Sequence, residues 1–312
     1  MIRTYRIPDL ADYINWLYFL YAWSLPPGMA SVAKVHGCES CRQAWIGSFP
    51  EGEREQARQV VSLYADALKM LSRLSPYLLV KAGVKLFPAN SDGDDIVLFD
   101  AADREREVAR LPMLRQQRPG SDGFCRSLAD YLRPLSQGVR DTIGLFAVAA
   151  HNESPMLSAT RRLESLKPDL SHVDGYEQLL IQTLSDRLAE AAAEVLHMEV
   201  RRSLWGYAPD EQLSIDALHA EAFQGIRPAI GYPSLPDLSL NFVLAPLLDF
   251  PHLGITLTEH AMMQPHAAVS GLMLAHPQAR YFSVGPISEE QLSDYARRRQ
   301  LPADTLRPYV MP

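Results

Sequence analysis

Between residues 51 and 74 the apolar positions Val60, Val61, Leu63, Tyr64, Ala67, Leu68, Met70 and Leu71 recur every three or four residues. That period predicts an amphipathic helix. Residues 141–150, apolar from Ile143 onward apart from Gly144, predict a buried strand. Shorter runs at 84–88 and 96–99 flank Asp92-Gly-Asp-Asp95 and predict a hairpin. Residues 173–207, rich in Leu, Ala and Glu, predict the longest helix. Further helices are expected over 8–24, 124–132, 210–223 and 237–248, the last interrupted by Pro246. Strand-like segments lie near 254–257, 267–274 and 280–284. Ser288-Glu-Glu-Gln has the form of an N-cap followed by first-turn acids and opens a final helix to about Arg299. Residues 27–50 show no period and are expected to be irregular. Helices and strands do not alternate as βαβ units, so the pattern predicts an α+β fold with an antiparallel sheet.

Composition narrows the class. Of 312 residues, 47% are hydrophobic and 21% charged, so the chain buries a core and is not disordered. The net charge of −7, with no Lys/Arg cluster among aromatics, argues against a general nucleic-acid binder. The N-terminus lacks signal-peptide grammar, and the apolar stretch 13–25 is about half a membrane span and ends at Pro26-Pro27. Three cysteines make no disulfide framework, which points to a reducing cytoplasm.

Candidate chemistry concentrates at Gly225-Ile-Arg-Pro-Ala-Ile-Gly-Tyr-Pro233. The prolines fix their own φ, so Arg227 is expected on a stiff, exposed loop. A guanidinium held still suits a carboxylate or phosphate, and Tyr232 adds an aromatic face. On these residues alone a helix-capping arginine fits equally well. In the long helix, Asp186, Glu190 and His197 fall near one stripe, with Glu194 one turn beyond Glu190. By itself this stripe is a solvated acidic face with a structural His197. His36, Cys38 and Cys41 carry zinc-type donors but lack a fourth, Cys125 being distant in sequence, so unpaired thiols in a loop are the plainer reading. Asp92-Gly-Asp-Asp95 lacks the length and terminal Glu of a calcium loop and is a turn. No phosphate loop, nucleophile elbow or His-Glu-x-x-His motif is present.

Several blocks carry a family resemblance. They are Asp186-Arg-Leu-Ala-Glu190 through His197, Leu204-Trp-Gly-Tyr-Ala-Pro-Asp-Glu-Gln-Leu213 and the Arg227 loop. Ala268-Val-Ser-Gly271, His276 through Gly285 and Asp294-Tyr-Ala-Arg-Arg298 follow. In this order and spacing they resemble the activation domain of cobalamin-dependent methionine synthase. Weaker pieces at Leu86–Ile96, Leu114–Gln117, Ser127–Tyr131, Ile143–Val148, Tyr13–Trp16 and Trp23–Leu25 extend the resemblance over nearly the whole chain.

The resemblance implies a single helix-flanked antiparallel sheet domain over residues 1–312, acting as a free-standing or excised activation domain. It implies binding of S-adenosylmethionine by Asn15, Glu190, Arg227, Ala229, Tyr232, Tyr281 and Phe282. Arg227 would hold the ligand carboxylate and Glu190 its cationic part. One of Tyr281 and Phe282 would stack on the adenine, because adjacent strand residues face opposite ways. No catalytic residue is implied. The partners implied are a cobalamin-bearing methionine synthase lacking this domain and a flavodoxin-type electron donor. The methyl group would be presented to cob(I)alamin formed by reduction of cob(II)alamin.

Two departures stand out. Asn15 replaces the usual Asp, and Leu235-Pro-Asp-Leu-Ser-Leu-Asn241 lacks the family's His and Lys. They leave open a non-ligand-binding structural or regulatory subunit of a corrinoid-dependent methyltransferase. A metal- or thiol-dependent protein built on His36, Cys38 and Cys41 is the other alternative.

Overall fold

The computed structural model describes residues 1–120, 122–152 and 175–310. The chain divides into two compact units. The larger comprises Met1–Arg3, Lys81–Ala149 and Ala193–Pro312; the smaller comprises Thr4–Val80 and Ala150–Ala192.

Eight strands are described: β1 (Ile2–Arg6), β2 (Leu78–Asp92), β3 (Asp95–Phe99), β4 (Glu107–Pro112), β5 (Asp141–Asn152), β6 (Thr256–Leu257), β7 (Met263–Gln264) and β8 (Ala268–Met273). Six form one sheet in the order β4-β3-β2-β5-β8, with β1 also pairing β2; β6 and β7 pair separately. The expected hairpin is present, closing at Asp92↔Asp95 around Gly93 at φ 60°. β5 runs antiparallel to β8 from Gly144↔Met273 to Ala149↔Ala268. Residues Ile143 and Leu145–Ala150 are all buried, which is why the middle of the strand is apolar on both faces.

Beside this sheet the larger unit packs Leu240, Leu244, Leu248 and Phe250 into one core with Ile96, Leu98, Ile143, Leu145 and Leu272. Each such side chain contributes roughly 1.5–3 kcal/mol on full burial. A second cluster gathers Leu292, Tyr295, Leu306 and Val310 around the helices Glu289–Arg299 and Ala303–Val310. Ser288 caps the first of these through Gln291 N–H, as its sequence predicts.

Other elements are shorter than expected. The helix expected over 210–223 is only Ile215–His219, because Ser214 caps it late and Glu221 turns left-handed at φ 55°. Residues 280–284 form no strand. Phe282 N–H donates to Ser234 Oγ and Val284 N–H to the Pro233 carbonyl instead. The region 124–132 is a 3-10 turn, Leu128–Tyr131, with a Ser127/Asp130 capping box.

In the smaller unit the helix expected over 8–24 is broken into Ile7–Leu10, a 3-10 turn Ala11–Tyr13 and Trp16–Ala22. Residues 27–50 are not irregular: they hold 3-10 turns over Pro27–Lys34 and a helix Glu39–Gly47. A helical segment only nine residues long leaves too little periodicity to recognise. The helix Arg54–Leu74 buries Ala57, Val60, Leu63, Ala67, Met70, Leu71 and Leu74; of the expected face Val61 and Tyr64 are partly buried and Leu68 is exposed. Trp16 meets Tyr64 of that helix edge-on at 4.7 Å and Phe19 at 5.2 Å. The long helix is Gly175–Glu199 and runs on into a π-helical turn at Val200–Leu204. In its first turns Tyr176 packs on Trp23 at 5.3 Å and Glu177 pairs with Arg73 at 2.7 Å.

Candidate functional site

The Arg227 loop is anchored to a sheet edge. Ile226 and Leu274 exchange both backbone hydrogen bonds, Leu272 N–H donates to the Pro228 carbonyl, and Ile230 N–H donates to the Ser270 carbonyl. The segment 226–230 thus runs along β8, where adjacent residues face opposite ways. Ile226 and Ile230 enter the core; Arg227 faces away from it. Gly271 permits this approach. A Cβ there would stand 2.2 Å from the Pro228 carbonyl oxygen and 2.9 Å from Ala229 Cα. The sequence predicts an exposed loop, whereas the Arg227 side chain is only 19% exposed.

Around Arg227 the larger unit gathers a polar cluster. Arg227 Nη2 lies 2.6 Å from Glu194 Oε2, and Nη1 lies 3.4 Å from His197 Nδ1. A guanidinium only donates, so Nδ1 must accept and Nε2 must carry the ring proton. That proton is donated to the Tyr207 hydroxyl at 3.2 Å. Burial, and then the positive charges of Arg227 and Arg201, push the His197 pKa well below its usual value, so the ring is neutral.

Arg201 is fully buried in the π-helical turn and chelates Glu211 at 2.7 and 2.8 Å. It also stands 4.0 Å from Glu194, whose Oε1 is buried without a hydrogen-bond partner. The Phe223 ring lies 4.0 Å from the Arg201 guanidinium carbon, 5.7 Å from that of Arg227, and edge-on to His197 at 5.1 Å. These are cation–π distances.

At the solvent edge, partial burial pushes the Glu221 carboxyl pKa up against the attraction of Arg227. Tyr281 accepts the Arg227 backbone N–H on its hydroxyl at 3.0 Å, and burial raises its pKa. The cluster holds two arginines against Glu194, Glu211 and Glu221. With all three acids ionised it therefore carries one excess negative charge.

The expected site residues divide between the units. Arg227, Ala229, Tyr232, Tyr281 and Phe282 belong to the larger, Asn15 and Glu190 to the smaller. Ala229 bridges Gly271, and Tyr232 is 53% exposed. Tyr281 touches Arg227, whereas Phe282 packs against the core, so only one of the two aromatics faces the cluster. Asn15 caps the helix Trp16–Ala22 by accepting Leu17 N–H at 3.2 Å. Glu190 is bonded by Arg187 through both oxygens at 3.1 Å.

Sequence reasoning missed the parts played by Glu194, His197 and Arg201, although their spacing of i, i+3 and i+7 places them on one helical stripe. It also missed Glu221, for which the sequence carries no signal, since its placement depends on a left-handed backbone. A cavity of about 610 Å³ elsewhere in the larger unit is lined by Arg110, Arg298 and Arg299. These arginines are paired with Asp92, Asp95 and Asp237 and stand apart from this cluster.

In the smaller unit, His36, Cys38 and Cys41 bring one donor atom each within 4.8 Å of one another. Hydrogen bonds from Ser40, Cys41 and His36 hold the Cys38 thiol down to about 6, and the hydrogen bond with Cys38 pushes the Cys41 thiol up. All three cysteines are free thiols.

Residues 6–300 match the family model for the activation domain of vitamin B12-dependent methionine synthase. The chain belongs to this family. A solved structure of the MetH reactivation domain bound to AdoHcy is 34% identical and superposes with a TM-score of 0.81, over all of this chain and 90% of that one. The activation domain thus has the fold class its sequence predicts, and the anchored Arg227 loop is part of the matched region. Among its described residues no helix is long and apolar enough to cross a membrane.

Proposed function

We propose that this activation domain binds S-adenosylmethionine and presents its methyl group to the cobalamin of a methionine synthase for reductive reactivation. The observation that carries the proposal is the Arg227 guanidinium, fixed at the β8 edge inside a cluster with one excess carboxylate. S-adenosylmethionine carries an ammonium, a sulfonium and a carboxylate, one net positive charge. It therefore complements the cluster in sign and size of charge.

Of the five N–H groups of Arg227, the contacts to Glu194 and His197 use two, one on each terminal nitrogen. Three remain for an incoming carboxylate. Glu194 Oε1, which accepts no hydrogen bond and has only the Arg201 guanidinium at 4.0 Å, is an acceptor suited to an ammonium group. Tyr281 offers an aromatic face beside the loop, and Ala229 a small side chain that lets a ligand approach the backbone. We assign Tyr232 to the same ligand on family resemblance, with Phe282 supporting from the core; roles for Asn15 and Glu190, of the smaller unit, rest on that resemblance alone.

The chemistry itself belongs to the sulfonium methyl group and to the partner's cobalt. This chain would supply position and charge. The electron donor proposed is of flavodoxin type. The test is methyl transfer from S-adenosylmethionine labelled on its methyl group. The chain is mixed with a cobalamin-bearing methionine synthase lacking this domain, together with a one-electron reductant. Label should reach the corrinoid only when this chain is present. Transfer at the same rate without it would refute the assignment.

Asn15 favours a second reading. Its side chain is neutral and already engaged as a helix cap. A chain that has lost its ligand and serves as a structural or regulatory subunit would show no saturable binding while still associating with the corrinoid protein.

A further inference from the structure

We propose that His36, Cys38 and Cys41 form a zinc site with an open fourth position. The three residues lie within six positions of sequence in the smaller unit. Their donor atoms all stand within 4.8 Å of one another. In a tetrahedral site with zinc–sulfur bonds near 2.3 Å and zinc–nitrogen bonds near 2.0 Å, donors are about 3.5–3.8 Å apart. Closing the observed cluster to that spacing takes shifts of about 1 Å or less, within the reach of χ rotations at half-exposed side chains.

Local structure explains why the donors converge. The turn at Gly37 folds His36 back over Cys38, whose N–H donates to His36 Nδ1 at 3.3 Å. Cys38 is the N-cap of the helix Glu39–Gly47, so its sulfur lies at the helix start beside Ser40 and Cys41. Cys41 follows in the first turn of that helix, which brings its side chain back beside the N-cap. Ser40 Oγ lies 3.3 Å from Cys38 Sγ and can donate to a metal-bound thiolate, as groups behind metal ligands commonly do.

Charge supports a divalent ion. Two thiolates and a neutral imidazole around Zn²⁺ sum to zero, so the occupied site carries no net charge into a partly exposed surface. The two thiol protons leave to solvent on binding. Zinc fits best because it is borderline-soft and accepts mixed sulfur and nitrogen donors without redox change. Three protein ligands leave one position for water or for a donor from another molecule.

The test is a Co²⁺ titration of the full chain, fully reduced with a phosphine and freed of metal by chelation. The expected result is one-to-one saturation with thiolate-to-cobalt charge-transfer absorption and tetrahedral d–d bands, reversed by equimolar Zn²⁺. Cys38→Ala and Cys41→Ala should each abolish the charge-transfer band, and His36→Ala should weaken binding. Cys125→Ala should leave it intact. Far-UV circular dichroism of each variant establishes that the fold persists. Absence of a charge-transfer band in folded, reduced protein would overturn the proposal. So would a band that survives Cys38→Ala. Formation of a Cys38–Cys41 disulfide in a chain whose reduced form ignores Co²⁺ would overturn it too, in favour of a redox pair.

Discussion

At the scale of single residues, the cluster around Arg227 turns on groups whose charge is set by burial. His197 is neutral because its pKa is pushed well below the ordinary value near 6.5. An unfolded chain takes up a proton on this ring as pH falls through about 6.5, while the folded chain does not. The unfolded state then binds more protons, so stability is full above that pH and falls below it. The expected loss is up to about 1.4 kcal/mol per pH unit until the folded pKa is reached. Urea midpoints at pH 7.5 and 5.5 should show this loss, and His197→Gln should flatten it. A midpoint with the same pH dependence in both chains would remove His197 from the account.

Glu221 behaves oppositely. Its raised pKa means that the charged form is disfavoured in the folded chain, so the stabilising contribution is present at low pH and lost as pH rises. Glu221→Gln should therefore leave stability at neutral pH within about 1 kcal/mol of wild type, or slightly raise it. By removing the cluster's excess negative charge it should weaken S-adenosylmethionine binding by about 1–3 kcal/mol, roughly 5- to 150-fold. Denaturation curves and a binding isotherm on the same preparation separate the two effects.

At the scale of elements, the close approach of residues 226–230 to β8 is what holds Arg227. Gly271→Ala would drive a methyl group into the Pro228 carbonyl and Ala229 Cα. The expected cost is about 1–3 kcal/mol of stability together with loss of ligand affinity, since the loop must lift from the strand. A variant of unchanged stability and affinity would show that the anchoring is dispensable.

The elements legible in the sequence were those with a strong period or a strong run. The 54–74 helix, β5, the β2–β3 hairpin and the Ser288-capped helix all belong to this group. Elements decided by tertiary contact were not legible. Residues 280–284 are apolar enough for a strand, but Ser234 and Pro233 take their backbone bonds. The segment 210–223 has helical composition, but the left-handed Glu221 ends the element early. At the site, Arg227 was recognisable from its proline-rich surroundings and from family resemblance. That Glu194 and His197 would hold it from the long helix was not, because the same stripe reads equally well as a solvated face.

At the scale of the whole molecule, the family match over residues 6–300 and the 34% identical MetH reactivation domain establish what kind of domain this is. Its activity rests on whether the altered residues still bind the ligand. Asn15 lacks the charge that an aspartate would bring, while the Arg227 cluster retains one excess carboxylate. The account therefore predicts weakened but real binding. The most direct measurement is a calorimetric titration of the folded chain with S-adenosylmethionine, with Arg227→Ala and Glu221→Gln in parallel. Arg227→Ala leaves Glu194 without its closest cation, at a stability cost of about 3–5 kcal/mol for a buried pair, so its fold is checked by circular dichroism. The account predicts one-to-one saturable binding by the native chain, weakened in Glu221→Gln and lost in Arg227→Ala. No saturable binding by the native chain, or equal affinity in all three, would contradict it.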